Sequence, residues 1–344
     1  MFNIDDQPPE RLKEGNILVG ERKMTLSKFF IDYNALIILV LLIIISAVWS
    51  PIFFTRNNLV NVLRQQTSYL VVAVGLLVVM LTGGIDLSVA SMVGLGSVMV
   101  TELVTMNEWR LVPAILLTLG ICLVFGAING FLVAVLKMAP FIVTLAMSFA
   151  VLGVVFIATK GAYRMLSGDD PLIDGFIEFG QGSDPLLGLP WRIYITAVIV
   201  IIFWLVLTYT SFGRLTKATG SNALAVKLAG IDIRKYQFFA YVICSFLAGV
   251  AGVLVTAASG ASSPTTAQAD YTMTAIAGVI IGGGDLNGGK GTVPFTVVGV
   301  FIMGIIGNIM NLSAVPAYPQ WVVRAIVIVL AIFLRSVVSS RNTR

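Results

Sequence analysis

The chain has 344 residues, of which 58% are hydrophobic and 11% charged, with a mean hydropathy of +0.96. A soluble domain runs at roughly 45–50% apolar and about 25% charged, so this few ions cannot cover a water-facing surface. Histidine is absent, which removes imidazole acid–base catalysis and imidazole zinc sites. The apolar runs match a hydrocarbon core of about 30 Å, and the chain reads as an all-α polytopic membrane protein. Cys122 and Cys244 sit inside apolar runs and read as small hydrophobic residues. The net charge of +5 comes without a stripe of Lys and Arg interleaved with aromatics, so nucleic acid is not expected as a partner. Retention of basic residues on the cytoplasmic side accounts for the excess.

Residues 1–32 are polar and mixed in sign, with no secretory signal, and are expected to form a cytoplasmic N-terminal segment. Hydropathy then predicts about ten crossings. They are Tyr33 to Phe54, Gln65 to Ile85, Leu87 to Thr101, Leu111 to Leu136 and Pro140 to Thr159, followed by Ile193 to Phe212, Tyr236 to Ser259, Tyr271 to Gly284, Gly291 to Leu312 and Trp321 to Leu334. Several are short or rich in glycine. Residues 213–235 carry Arg214, Lys217, Lys227, Arg234 and Lys235 against Asp232 alone, whereas residues 160–190 carry Asp169, Asp170, Asp174, Glu178 and Asp184 against Lys160 and Arg164. The charge bias puts 213–235 and the basic tail 336–344 in the cytoplasm and 160–190 outside. An even number of spans within a single transmembrane domain, residues 33–335, leaves both termini cytoplasmic. This count places Arg56 and Arg64 outside, against the bias, and Leu59, Val62 and Leu63 have the spacing of a short interfacial helix there.

Gly83-Gly84-Ile85-Asp86-Leu87 echoes Gly282-Gly283-Gly284-Asp285-Leu286, each closing an apolar run. Repeated glycine-interrupted helices are common around transporter pathways, although short Gly/Asp strings also recur by chance in a Gly-rich chain. Asp86 fits a helix cap or a lining residue, since a carboxylate beside apolar spans needs water, a partner or a helix end. Asp285 reads as a cap or a turn. The run Gly284 to Lys290 fits the start of a phosphate-binding loop, but Gly291 follows where Ser or Thr would hold magnesium and no α/β domain surrounds it. ATP binding by this chain itself is not expected.

The stretch from Gly213 to Ile233 is the most informative. Asn222 is a predicted N-cap and Gly230 a predicted left-handed terminator, bounding about two helical turns in which Leu224, Ala225 and Leu228 share a face. Such a helix is too short to stand alone and gains by docking into a groove on a partner or by lying on the inner leaflet.

Gly213, Arg214, Ala218, Gly220, Asn222, Ala225, Gly230 and Ile231 resemble the loop signature of the sugar-transport permeases of ABC importers, the ribose, arabinose and galactose permease group. Ser221 and Val226 depart from it. Gly83 to Ser88, and Ala275 to Gly283 followed by Gly288 to Thr292, resemble two further signatures, with Lys290 loosely matched. The similarity covers roughly residues 33–335. It implies a type II ABC importer-like permease fold in a bacterial inner membrane and a non-catalytic subunit. The loop helix would couple to a separate ABC ATPase through Gly220, Asn222, Ala225, Lys227, Gly230 and Ile231. This chain would bind no cofactor, with ATP and Mg held by that ATPase. A second permease copy is implied, together with a periplasmic or lipoprotein sugar-binding protein received by residues 160–190 and 260–270.

The spans contain few convergent hydrogen-bonding side chains, as suits a conduit that must release what it accepts. Candidates for the path are Asp86, Gln65, Gln66, Thr67, Asn129, Thr144, Asn308 and Asn311, each of which also suits helix–helix hydrogen bonding. An ion-coupled secondary transporter is the rival reading, with Asp86, Arg324 and Asp285 as its ionisable groups. Pentoses, hexoses, inositol, nucleosides and furanose signals all stay open as solutes.

Overall fold

A computed structural model describes residues 33–341 except 186 and 269. The N-terminal segment 1–32 and tail residues 342–344 lie outside the described residues. Each of the ten apolar runs contains a helix, as it must where lipid offers no hydrogen bonds to an open backbone. In chain order these are α1 (Asn34–Trp49), α2 (Arg56–Leu81), α3 (Val89–Thr105), α4 (Leu111–Gly130, continued by a π turn at Phe131–Val135) and α5 (Pro140–Thr159). After a two-residue strand β1 (Arg164–Met165) come α6 (Leu172–Gln181) and α7 (Trp191–Tyr209). Two helices off the spans follow, α8 (Ser211–Ser221) and α9 (Ala223–Leu228), then α10 (Ile233–Ser259). The last part holds β2 (Ala261–Ser262), a 3-10 turn (Pro264–Gln268), α11 (Tyr271–Ile281), α12 (Val293–Leu312) and α13 (Ala317–Arg341).

Two boundaries differ from the sequence expectation. The short interfacial helix expected around Arg56 and Arg64 is no separate element. Those residues form the first turns of α2, whose start is set by Thr55, the hydroxyl of which accepts from the Asn58 amide. Once nucleated, a helix gains one hydrogen bond per added residue, so it runs straight through polar residues that hydropathy leaves outside the span. Residues 213–221, expected within a loop, are helical as most of α8, capped by Thr210 accepting from the Gly213 amide.

The described spans from Ala35 onward pack into one unit around α2 and α10. Helix α10 lies against α2, α3 and α4, and small residues bring the backbones together. A methyl added to Gly96 would stand 3.0 Å from the Gly249 Cα, one at Gly126 2.8 Å from the Ser245 Cβ, and one at Gly252 2.7 Å from the Ser97 amide nitrogen. In lipid, where Leu gains nothing by turning inward, close approach and polar contacts supply helix association. The Ser97 and Thr256 hydroxyls, 2.8 Å apart, add one such contact across α3 and α10. Helices α11 and α12 form a hairpin of the same kind, for a methyl at Gly299 would lie 2.9 Å from the Gly282 nitrogen and one at Gly282 2.8 Å from the Thr296 nitrogen. Val48, Leu116, Ile157 and Val198 face outward from α1, α4, α5 and α7, as a lipid-contacting shell requires.

Six of these helices are long and apolar enough to cross a membrane, and α1, α3 and part of α13 are shorter apolar helices. The 11 residues of α11 cover about 16 Å, half the hydrocarbon thickness. The acidic segment is tied to one end of the bundle. There Arg56 donates to the Leu187 carbonyl at 2.8 Å, the Leu111 amide at the start of α4 donates to Asp170 at 2.7 Å, and β1 pairs antiparallel with β2. The basic segment with α8 and α9 sits at the other end.

Candidate coupling platform and translocation path

At the basic end the two echoing motifs have the same local structure. In the first, the Gly84 amide donates to Val79 O and Gly83 has φ +83°, and in the second the Gly284 amide donates to Val279 O and Gly283 has φ +86°. Each is a glycine-terminated helix end in which the left-handed residue turns the chain out of the axis. The repeat is therefore a repeated helix stop, and Asp285 sits in the turn after the second, its carboxylate accepting from the Asn287 amide at 3.1 Å.

The three signature motifs meet at this end. The Gly289 amide donates to the Leu81 carbonyl at 3.0 Å. A methyl on Gly220 would stand 2.6 Å from the Gly289 nitrogen, one on Gly288 2.7 Å from the Gly83 nitrogen, and one on Gly289 2.8 Å from the Ser221 Cα. Backbone thus lies on backbone among the end of α2, the end of α8 and the loop after α11, with no flexible side chain between them. The glycines that resembled a phosphate loop are used for this contact.

From the platform projects α9. Asn222 accepts from the Ala225 amide at 2.9 Å, and Gly230 closes the turn with φ +77°, both as the sequence predicted. Val226 is buried against the rest of the chain, while Leu224 and Leu228 are 67% and 81% exposed. Ala225 and Lys227 are exposed as well, and Ile231 is half-buried. A two-turn helix with its leucines turned away from its own protein presents an apolar knob.

Between α2 and α3, residues 83–88 are non-helical, with Gly84, Asp86 and Ser88 buried and Ile85 and Leu87 half-buried. Asp86 is wholly enclosed. Its Oδ1 accepts from the Ser88 amide at 2.9 Å and from the Ser88 hydroxyl, which in turn accepts from Asn129 Nδ2 at 3.1 Å. Tyr241 and Thr144 donate to the Ile85 carbonyl, each at 3.4 Å. Irregular backbone at membrane depth is tolerated when protein groups satisfy it, and these side chains do so. Asp86 thus closes a side-chain turn onto Ser88 within the break before α3. The Ala90 amide donates to Thr272 Oγ1 at 3.0 Å, so α3 and α11 start side by side within the depth of the bundle.

A second polar cluster lies between α2, α11, α12 and α13, around a cavity of about 70 Å³ lined by Gln65, Gln66, Tyr69, Thr274, Asn311 and Arg324 among others. Asp270 and Arg324 form an ion pair. Tyr69 donates to Asp270 Oδ1 at 2.8 Å and Thr274 to Oδ2 at 3.2 Å. The rings of Tyr69 and Tyr271 are 4.7 Å apart.

Of the residues named as path candidates, the structure brings Gln65, Gln66 and Asn311 together at this cavity. Asn129 is enclosed beside Asp86, and Asn308 exchanges amide hydrogen bonds with Asn58 at 2.8 and 3.1 Å, so these two tie helices together. Thr67 and Thr144 donate to carbonyls one turn back in their own helices. Asp270 and Tyr69 were not legible as site residues. Arg324 inside a span was the available signal, because an intramembrane cation calls for an anion, and Asp270 is that anion.

A helical bundle with an apolar outer shell and a break between α2 and α3 is the build of a membrane transport protein. Over residues 58–333 the chain matches the family described as "Branched-chain amino acid transport system / permease component". The chain belongs to that family. It is 35% identical over 323 residues to the ribose import permease protein of Escherichia coli (strain K12), covering 92% of this chain and 97% of the relative. The ribose import permease protein of Bacillus subtilis (strain 168) is 35% identical over 296 residues, 86% of this chain and 90% of the relative. The L-arabinose transport system permease protein of E. coli (strain K12) is 30% identical over 303 residues, 88% of this chain and 89% of the relative. No solved structure matches the chain.

Proposed function

We propose that this chain is the membrane-spanning subunit of an ATP-driven importer for a sugar, of the kind named by its ribose and arabinose permease relatives. The observation that carries the reading is α9, a short helix with Leu224 and Leu228 turned outward and its root clamped to α2 and to the loop after α11. In this reading the basic end faces the cytoplasm of a bacterial inner membrane, with both termini there. The apolar knob docks in a cleft of a separate ATPase subunit, which holds ATP and Mg and performs the hydrolysis, and this chain performs no catalysis. A binding protein delivers solute to the acidic end, and a second copy of the permease completes the transporter.

Coupling then has a physical route. Force on α9 passes through the glycine contacts to α2 and α11 without being absorbed by side-chain motion. Helix α2 carries Gln66 and Tyr69 near its middle, and Thr274 lies in the first turn of α11 with Asp270 just before it. In the complex reconstituted in proteoliposomes with its ATPase and binding protein, ATP-dependent uptake of ribose or arabinose is expected. Leu224→Asp with Leu228→Asp should abolish co-purification of the ATPase and lower uptake at least about tenfold. The folded chain should be unaffected, because both side chains are exposed and surface changes cost within about 0.5 kcal/mol. Retained co-purification and uptake would overturn the coupling role. Uptake driven by an ion gradient without ATP would overturn the ATP-driven reading.

A further inference from the structure

The polar cavity between α2, α11, α12 and α13 holds chemistry that coupling through α9 does not use. Gln66 is 5% exposed and its Oε1 has no hydrogen-bond partner, while a methyl on Gly304 would stand 2.5 Å from the Gln66 amide. Gly304 lets that amide lie flat on α12, at the wall of the cavity it lines. A buried amide oxygen without a donor is costly, and a solute hydroxyl supplies one. Arg324, Tyr69 and Thr274 also line the cavity, and all three bond to Asp270. Charges at membrane depth are expensive and persist at pathways and relays.

Resting on the importer reading, we propose that Gln66, Tyr69, Asp270, Thr274 and Arg324 form a binding station for a neutral polyhydroxylated solute, closed in this conformation by the Asp270–Arg324 pair. Each sugar hydroxyl both donates and accepts. The carboxylate and the Gln66 carbonyl accept, the guanidinium donates through a planar fork, and a tyrosine offers an apolar ring face beside its hydroxyl. Within the Asp270–Arg324 pair the formal charges cancel, so a neutral solute that parts it need not bring a counter-charge of its own. The cavity of about 70 Å³ admits a couple of waters, at roughly 30 Å³ each, and falls far below the ~300 Å³ at which ligand pockets begin. A sugar therefore requires the pair to part, and its hydroxyls then replace the bonds that the two charges gave each other. Since Asp270 precedes α11 and Tyr69 lies on α2, the two helices clamped to the platform, this parting lies on the route of the coupling force.

The experiment uses the reconstituted complex with its ATPase and binding protein, with ribose as the probe and leucine beside it. Apparent KM and rate of uptake are measured together with ATPase activity. Gln66→Leu is expected to raise KM for ribose about tenfold with ATPase activity kept. Asp270→Asn and Arg324→Gln are expected to lower ribose uptake at least about tenfold with hydrolysis kept, and the exchange D270R with R324D to recover part of it. Ribose uptake and KM within about twofold of wild type in all variants would overturn the station and leave the importer reading standing. Failure of both charge variants to assemble, with an unchanged KM in Q66L, would also overturn it, since the pair would then be a strut. Wild-type uptake of leucine in place of ribose would overturn the sugar reading and the ligand class together.

Discussion

Gly220 has no room for a side chain, because the Gly289 nitrogen and the Gly288 Cα lie 2.6 and 3.0 Å from where its Cβ would be. Both are backbone atoms in a loop held by left-handed glycines, with φ of +94° at Gly288 and +75° at Gly289, so neither neighbour can rotate away. Gly220→Val should cost about 1–3 kcal/mol through overpacking, seen as a lower thermal midpoint of the detergent-purified chain. Ser221→Ala, at an exposed position, should stay within about 0.5 kcal/mol. At this scale the sequence was readable where a single residue type has a single local use. Asn222 as a cap and Gly230 as a left-handed stop are decided by their own neighbours. Asp270 was not readable, because it stands just before an apolar run and looks like any interfacial acid. Its partner lies in α13, 54 positions later at Arg324, and only the packing of helices joins them.

Among the elements, the outer segment offers a test of its own anchoring. Asp170 holds two helix starts together, accepting from the Leu111 amide at 2.7 Å and from the Leu172 amide at 3.0 Å. These two bonds, with the Arg110 charge nearby, hold its carboxyl below the usual carboxylate range. A group whose folded value is depressed stabilises fully above its unfolded value, near about 4, and loses that contribution as pH falls through the folded value. The thermal midpoint of Asp170→Asn should therefore lie below that of wild type at neutral pH, and the gap should narrow as pH drops under about 4. The spans themselves were legible from hydropathy because lipid permits little besides helices. What hydropathy could not place was the start of α2, which carries polar residues up to Gln66, and the helicity of α8. Both depend on caps and on packing, which leave a faint mark on composition.

Taken as a whole, the molecule joins two ends that differ in construction. The basic end is glycine on glycine, stiff and free of side-chain play, while the acidic end is linked by side-chain ion pairs and hydrogen bonds such as Arg164 to Glu102 and Arg56 to Leu187. Helix α11 has a further consequence for how the chain enters the bilayer. With 11 residues against the roughly 20 needed to span, it is too short to be inserted as a membrane segment by itself during synthesis. Its stable partner, α12, is made only afterwards, so the two must enter together as a helical hairpin zipped through Gly282 and Gly299. A nascent chain ending at residue 292 is therefore expected to leave α11 outside the hydrocarbon, and one extended to residue 316 to bury it. A cysteine placed at Thr272 and probed with a membrane-impermeant thiol reagent on staged translation intermediates would register the change. Protection at residue 292 would show that α11 inserts unaided. Biogenesis of this permease thus contains a point at which the chain must wait for sequence not yet made.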